Sequence, residues 1–124
     1  MKKKLNYDYC QAAPVLEWMS QKWALVVMLR IKEYEKESIR FSELFRTIPQ
    51  VSEKILASTL DYLLQEGLVT RERFEEVPPR AEYSLTPIAK DFLRENSYVI
   101  EWGQLHFEQI VKGRKQSYTF IFFN

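Results

Sequence analysis

The 124-residue chain balances 18 Lys and Arg against 17 Asp and Glu, for a formal net charge of +1, and is 46% apolar and 28% charged. That length suits one domain with its own core, and three glycines are too few for a turn-rich all-β fold, so helix should dominate. One cysteine (Cys10) and one histidine (His106) exclude a protein-only zinc site and an intrachain disulfide; no apolar run is long enough to span a bilayer, and the basic start leads into Asn6, Tyr7 and Asp8 instead of a signal-peptide core, so a cytoplasmic protein without a membrane partner is expected.

The first helical signal is Ala13 to Met19, followed after Ser20 and Gln21 by "KWALVVMLRIKEYEK". Here Trp23, Val26, Val27, Arg30 and Tyr34 recur at helical spacing, and Leu25, Met28, Leu29 and Ile31 widen the stripe into that of a mostly buried helix. In "SIRF", Ile39 and Phe41 alternate with Ser38 and Arg40 as in a strand. Ser42 then reads as the N-cap of "ELFRTI", which Pro49 stops, and Ser52 as the N-cap of a helix over residues 52–66 that Gly67 closes. Two short helices on either side of a four-residue turn outline a helix-turn-helix.

The helical period places Leu56, Leu60, Leu63 and Leu64 on the inward side of the second helix and Lys54, Ile55, Ser58 and Tyr62 on the outward side. Small hydrogen-bonding side chains allow a helix close to base edges, and Lys54 can reach guanine acceptors or a phosphate; a solvated helix face has the same pattern. Next come "LVTRERF" and "AEYSLT", two strand-like runs that form a hairpin across residues 74–81, where Val77, Pro78 and Pro79 make a stiff arch. Arg71 and Arg73 share one side and Arg80 lies near the tip, suited to a phosphate backbone or narrow minor groove, while Glu72, Glu75, Glu76 and Glu82 stand close enough to neutralise them.

Helix, helix, strand, capped helix, turn, capped helix and hairpin is the order of a winged helix-turn-helix. With "KWALVVMLR", "RFSELFRTIPQVSEKILASTL", "LLQEGLVTR" and "EVPPRAEYSLT" in this order, the chain resembles the HxlR-type transcriptional regulators, a branch near the MarR-type regulators, from about Cys10 to Ala89. The resemblance implies a mainly α fold with a small β-hairpin and with N- and C-terminal dimerisation helices. It implies a homodimer on double-stranded DNA, with helix 52–66 in the major groove and the wing on adjacent backbone or minor groove. The family's DNA-facing positions fall on Ser52, Lys54, Ser58, Thr59 and Arg80; Arg46, Thr47 and Arg73 are further candidates for contact. Glu53 stands where the family has Gln, and Ala89 where it has Gly. Some family members sense oxidants or electrophiles through a cysteine at the position of Cys10, whose alternative role is that of a small buried apolar residue.

From Thr86, with Pro87 at the first helical position, Ile88, Phe92, Val99, Trp102, His106 and Ile110 predict a helix to about Val111, long enough to need a second subunit for its apolar face. His106 reads as a core or interface residue, and no nucleophile, carboxylate pair or phosphate loop suggests an enzyme or a cofactor. Residues Arg40 to Lys90 hold seven basic against eight acidic side chains, so nonspecific DNA binding should be weak. Basic groups gather instead at Lys2, Lys3 and Lys4 and at Lys112, Arg114 and Lys115, and the tail "QSYTFIFFN" is apolar enough to dock on protein. Two functions fit: a dimeric DNA-binding regulator, most simply a repressor at an inverted-repeat operator with its effector unspecified, or a winged-helix module for protein contacts.

Overall fold

Among residues 11–114, which the computed structural model describes, seven helices and three short strands follow one another and divide between Lys90 and Asp91 into two compact units. In the first unit α1 (Ala13–Ser20) and α2 (Lys22–Glu33) are parted at Gln21, whose backbone is extended. Tyr34 is not part of α2 but its extended C-cap, and its hydroxyl donates to Glu43. The buried stripe of α2 is Ala24, Val27, Met28 and Ile31, and α2 packs on α4 (Glu53–Gln65), which buries Leu56, Leu60 and Leu63. Burying each such Leu, Ile, Val or Met is worth about 1.5–3 kcal/mol, so this helix pair carries much of the core. Leu64 is half-buried.

The strand expected at "SIRF" is β1 (Ile39–Arg40), only two residues long, and Phe41 already belongs to α3 (Phe41–Arg46). Ser42 therefore lies inside the first turn of α3, whose N-cap is the extended Arg40 without a side-chain cap; the expectation of a Ser42 cap fails because the chain passes from strand to helix without a connecting residue. β1 joins the hairpin of β2 (Val69–Phe74) and β3 (Arg80–Leu85) in an antiparallel sheet of order β1-β3-β2. Ile39 pairs with Tyr83, Val69 with Leu85 and Arg71 with Tyr83, so one face of the sheet carries the buried Ile39, Val69, Tyr83 and Leu85. A two-stranded ribbon is marginal in water, and the third strand with this buried face secures the root of the wing.

Both ends of α4 are capped. Ser52 Oγ accepts from the Ile55 amide at 3.1 Å, and at the other end Leu68 N donates to Leu63 O at 2.9 Å and Gly67 N to Leu64 O at 3.2 Å. These paired bonds are a Schellman closure; Gly67 has φ +72°, and Leu63 and Leu68 are both buried. Thr86 Oγ1 donates to the Gly67 carbonyl at 2.8 Å and accepts from Ala89 N at 3.4 Å, tying the end of α4 to the start of α5 (Pro87–Glu95).

The second unit begins within α5 and continues as α6 (Ser97–Leu105) and α7 (Phe107–Gly113). The single helix expected to Val111 is thus divided at Asn96 and His106. Asn96 and His106 cap the helices that follow, each carbonyl accepting the first bond of the next helix, Ile100 N to Asn96 O at 3.1 Å and Ile110 N to His106 O at 2.9 Å. At each division a side chain adds a second donor to a carbonyl that already accepts the backbone bond: Asn96 N and Nδ2 both donate to Phe92 O, at 3.1 and 2.8 Å, and His106 N and Nδ1 both donate to Trp102 O, at 3.0 and 2.8 Å. His106 is half-buried, its ring stacked on Trp102 with centroids 4.5 Å apart.

Candidate nucleic-acid interface

The outward face of α4 begins at its cap. Ser52 uses an oxygen lone pair on the Ile55 amide, which leaves its hydroxyl hydrogen to donate elsewhere. Lys54 is exposed and has no ion-pair partner among the described residues; Ile55 is 39% exposed, and Ser58 is exposed. Thr59 is half-buried at the edge of this face. Ser58 and Thr59 both donate to the Ile55 carbonyl, at 3.0 and 2.7 Å, so they present oxygen lone pairs outward. Tyr62 shares this side with Ile55 and Ser58, all three lining a recess of about 430 Å³ with Trp23 and Ala24, but it is half-buried and its hydroxyl is buried with no hydrogen-bond partner among the described residues. Burial, with the nearby Glu66 and Glu17, raises its pKa.

Arg46 and Thr47 lie exposed at the end of α3, where Thr47 Oγ1 donates to Leu44 O at 2.7 Å. Residues 47–52 form the turn into α4, held from within by the buried Ile48 and Val51.

In the wing the three arginines part company. Arg71 stands 4.0 Å from Asp61 of α4. Arg73 is exposed with no ion-pair partner among the described residues. Arg80 is held on three sides: Nη1 donates to Glu76 at 2.5 Å, Nε to Glu82 at 3.0 Å, and the guanidinium lies over the Phe74 ring at 4.1 Å from its centroid. Only 25% of its side chain is exposed. Partial burial opposes its charge, but the hydrogen bonds to Glu82 and Glu76 prevail and raise its pKa. Ser38 Oγ donates to the other Glu82 oxygen at 2.5 Å, and this bond, reinforced by Arg80, holds the Glu82 carboxyl below the usual carboxylate range.

Among the described residues around α4 and the wing, Lys54, Arg40, Arg46 and Arg73 have no ion-pair partner, whereas Arg80 is engaged by Glu76, Glu82 and Phe74. Glu76 and Glu82 were legible as neutralisers. The Phe74 partner follows from the hairpin register, which sets Phe74 opposite Arg80, and Ser38 had no signal in the sequence. Val77 at the wing tip is fully exposed, and a concavity of about 450 Å³ beside it is lined by Arg71, Arg73, Pro79 and Tyr83. Cys10, Lys2 to Lys4 and residues 117–124 lie outside the described residues. No helix of the described chain is long and apolar enough to cross a membrane, and no group of three His, Cys, Asp or Glu in it is placed to hold a metal ion.

The model of the HxlR-like helix-turn-helix matches residues 18–111. The chain belongs to the HxlR-like family. The match begins at Trp18, after the expected start at Cys10, and extends beyond the expected limit at Ala89, through α6 and into α7. Among relatives, YtfH of Escherichia coli K12, named an HTH-type transcriptional regulator, is 31% identical over 109 residues, 88% of this chain and 84% of its own. An HTH-type regulator of Methanothermobacter thermautotrophicus is 34% identical over 97 residues, 78% of this chain and 72% of its own. The crystal structure of a protein named as a MarR-family regulator from Porphyromonas gingivalis W83 superposes with a TM-score of 0.72 at 33% identity, covering 82% of this chain and 97% of that one. The redox regulator HypR in its oxidised form gives 0.63 at 29% identity, covering 77% and 95%. The family is one of DNA-binding transcriptional regulators, and the mainly helical fold with its small antiparallel sheet is the winged helix of these neighbours.

Proposed function

We propose that this HxlR-like chain is a homodimer that binds an inverted-repeat operator and represses by occupying a promoter, with α4 in the major groove and the wing on the flanking backbone or minor groove. The observation that carries this is the outward face of α4, where Lys54, Ile55 and Ser58 stand exposed together on a helix capped at both ends. Lys54 takes a guanine acceptor or a phosphate. Ser52 donates to a phosphate, and Arg46 and Thr47 contact the backbone beside it. Ser58 and Thr59 accept from the amino groups of adenine or cytosine. In the wing Arg73 is the phosphate contact, and Arg80 keeps the shape that presents it. Dimerisation uses the apolar side chains that α1 and α6 leave exposed, Leu16 and Met19 on one and Val99, Trp102 and Leu105 on the other.

HypR is named a redox regulator. For this chain oxidation of Cys10 is the corresponding switch: diamide weakens operator binding in wild type and not in Cys10→Ser.

Selection of bound duplexes from a random library tests the function. An enriched inverted repeat with half-sites about one helical turn apart is expected. A folded, reduced protein that enriches nothing at low salt would instead be a winged-helix module for protein contacts.

A further inference from the structure

We infer that Ile55 reads the C5-methyl group of a thymine in each half-site, an inference that rests on α4 lying in the major groove. A single exposed apolar side chain is ordinary on a protein surface, but the position of this one is informative. Leu56, Leu60 and Leu63 complete the buried stripe of α4, so the core makes no demand on Ile55. Ile55 is 39% exposed in the middle of the face that also presents Lys54 and Ser58, and it is the exposed large apolar residue of that helix. In the major groove, thymine is the base that offers an apolar group.

The surroundings narrow the match. Because Ser58 and Thr59 both donate to the Ile55 carbonyl, the stretch after Ile55 offers hydrogen-bond acceptors in place of donors. These residues lie three and four positions along the helix, roughly 4.5–6 Å at 1.5 Å per residue. With about 3.4 Å between bases along a strand, that distance is one or two base steps. The face therefore fits a thymine with an adenine or cytosine amino group one or two steps away. The recess of about 430 Å³ beside Ile55 sets Trp23 and Ala24 next to the polar Gln21, Lys22 and Ser58, with room for a methyl group against Ile55.

The test replaces each thymine of the selected operator, in both half-sites, with deoxyuridine, which removes the methyl and keeps every hydrogen bond. At one position per half-site wild type should lose roughly three- to five-fold in affinity per methyl, the worth of burying one such group. Ile55→Ala should bind the thymine duplex more weakly and show less than about a 1.5-fold difference between thymine and uracil there. Ile55→Val, which keeps a branched side chain, should retain part of the discrimination. Uracil tolerated at every position by wild type, or penalised equally in Ile55→Ala, would overturn the assignment and leave DNA binding by α4 intact. Failure to select any operator would sink both.

Discussion

Arg80 and Arg73 show how two like residues seven positions apart come to different tasks. Two carboxylates and an aromatic face hold Arg80, whereas Arg73 projects from the same wing unpaired among the described residues. We expect Arg73→Ala to leave the melting temperature unchanged and to reduce the salt slope of operator binding by about 0.9, the loss of one phosphate contact. Arg80→Ala should lower the melting temperature by freeing Glu76 and Glu82 to repel each other. Equal melting curves with a lower salt slope for Arg80→Ala would make Arg80 a direct contact after all. Glu82 gives the pH counterpart. Its pKa is held below that of the unfolded chain, so its contribution is fully present above the ordinary carboxylate range and disappears as pH falls through the folded value. Glu82→Gln should therefore flatten the acid limb of stability against pH, measured by urea unfolding at a series of pH values; an unchanged limb would contradict the role given to the Ser38–Glu82–Arg80 chain. In the sequence, Arg80 was the conspicuous cation because it adjoins the prolines. Its neutralisation was legible in the nearby Glu76 and Glu82, the latter two positions along the same strand, whereas the Phe74 ring depends on the cross-strand register, six positions away.

At the scale of elements, α4 was the most legible, since Ser52, the leucine period and Gly67 all mark the same helix. The caps set its stability. Ser52→Ala should cost about 1 kcal/mol through loss of the Ile55 amide bond. Gly67→Ala should cost about 1–2 kcal/mol, a backbone effect alone, because a Cβ there would meet nothing within 4 Å. Chemical denaturation checks both, and a neutral Gly67→Ala would mean that the closure tolerates a side chain. Less legible were the short pieces. Ile39 and Phe41 alternate as in a strand, yet the strand stops at Arg40, and no local pattern announces β1 as the partner of β3. The divisions at Asn96 and His106 fall where a side chain doubles the backbone bond to a carbonyl one turn back, a feature that apolar periodicity does not record.

For the molecule as a whole, near-neutral charge makes binding depend on local contacts more than on a general basic field. The exposed apolar residues of α6 supply the other global expectation. Leu105 is 83% exposed and Val99 60%, and in a dimer they would be covered. Val99→Lys with Leu105→Lys should shift the protein from dimer to monomer in sedimentation and weaken operator binding by at least tenfold, since half-site occupancy loses its linked partner. A dimer unaffected by the double change would place the interface elsewhere. The dimer expectation came from the length of the apolar run, and that run survives the breaks at Asn96 and His106.

The most direct test of α4 as the DNA-reading element is the affinity of wild type and Lys54→Ala for the selected operator across a range of salt concentrations. If Lys54 meets a phosphate, the mutant should bind more weakly with a salt slope lower by about 0.9; if it meets guanine, the mutant should lose about 1–3 kcal/mol and relax its preference at one base pair. A mutant that matches wild type in affinity, slope and base preference would contradict the assignment of this face to DNA.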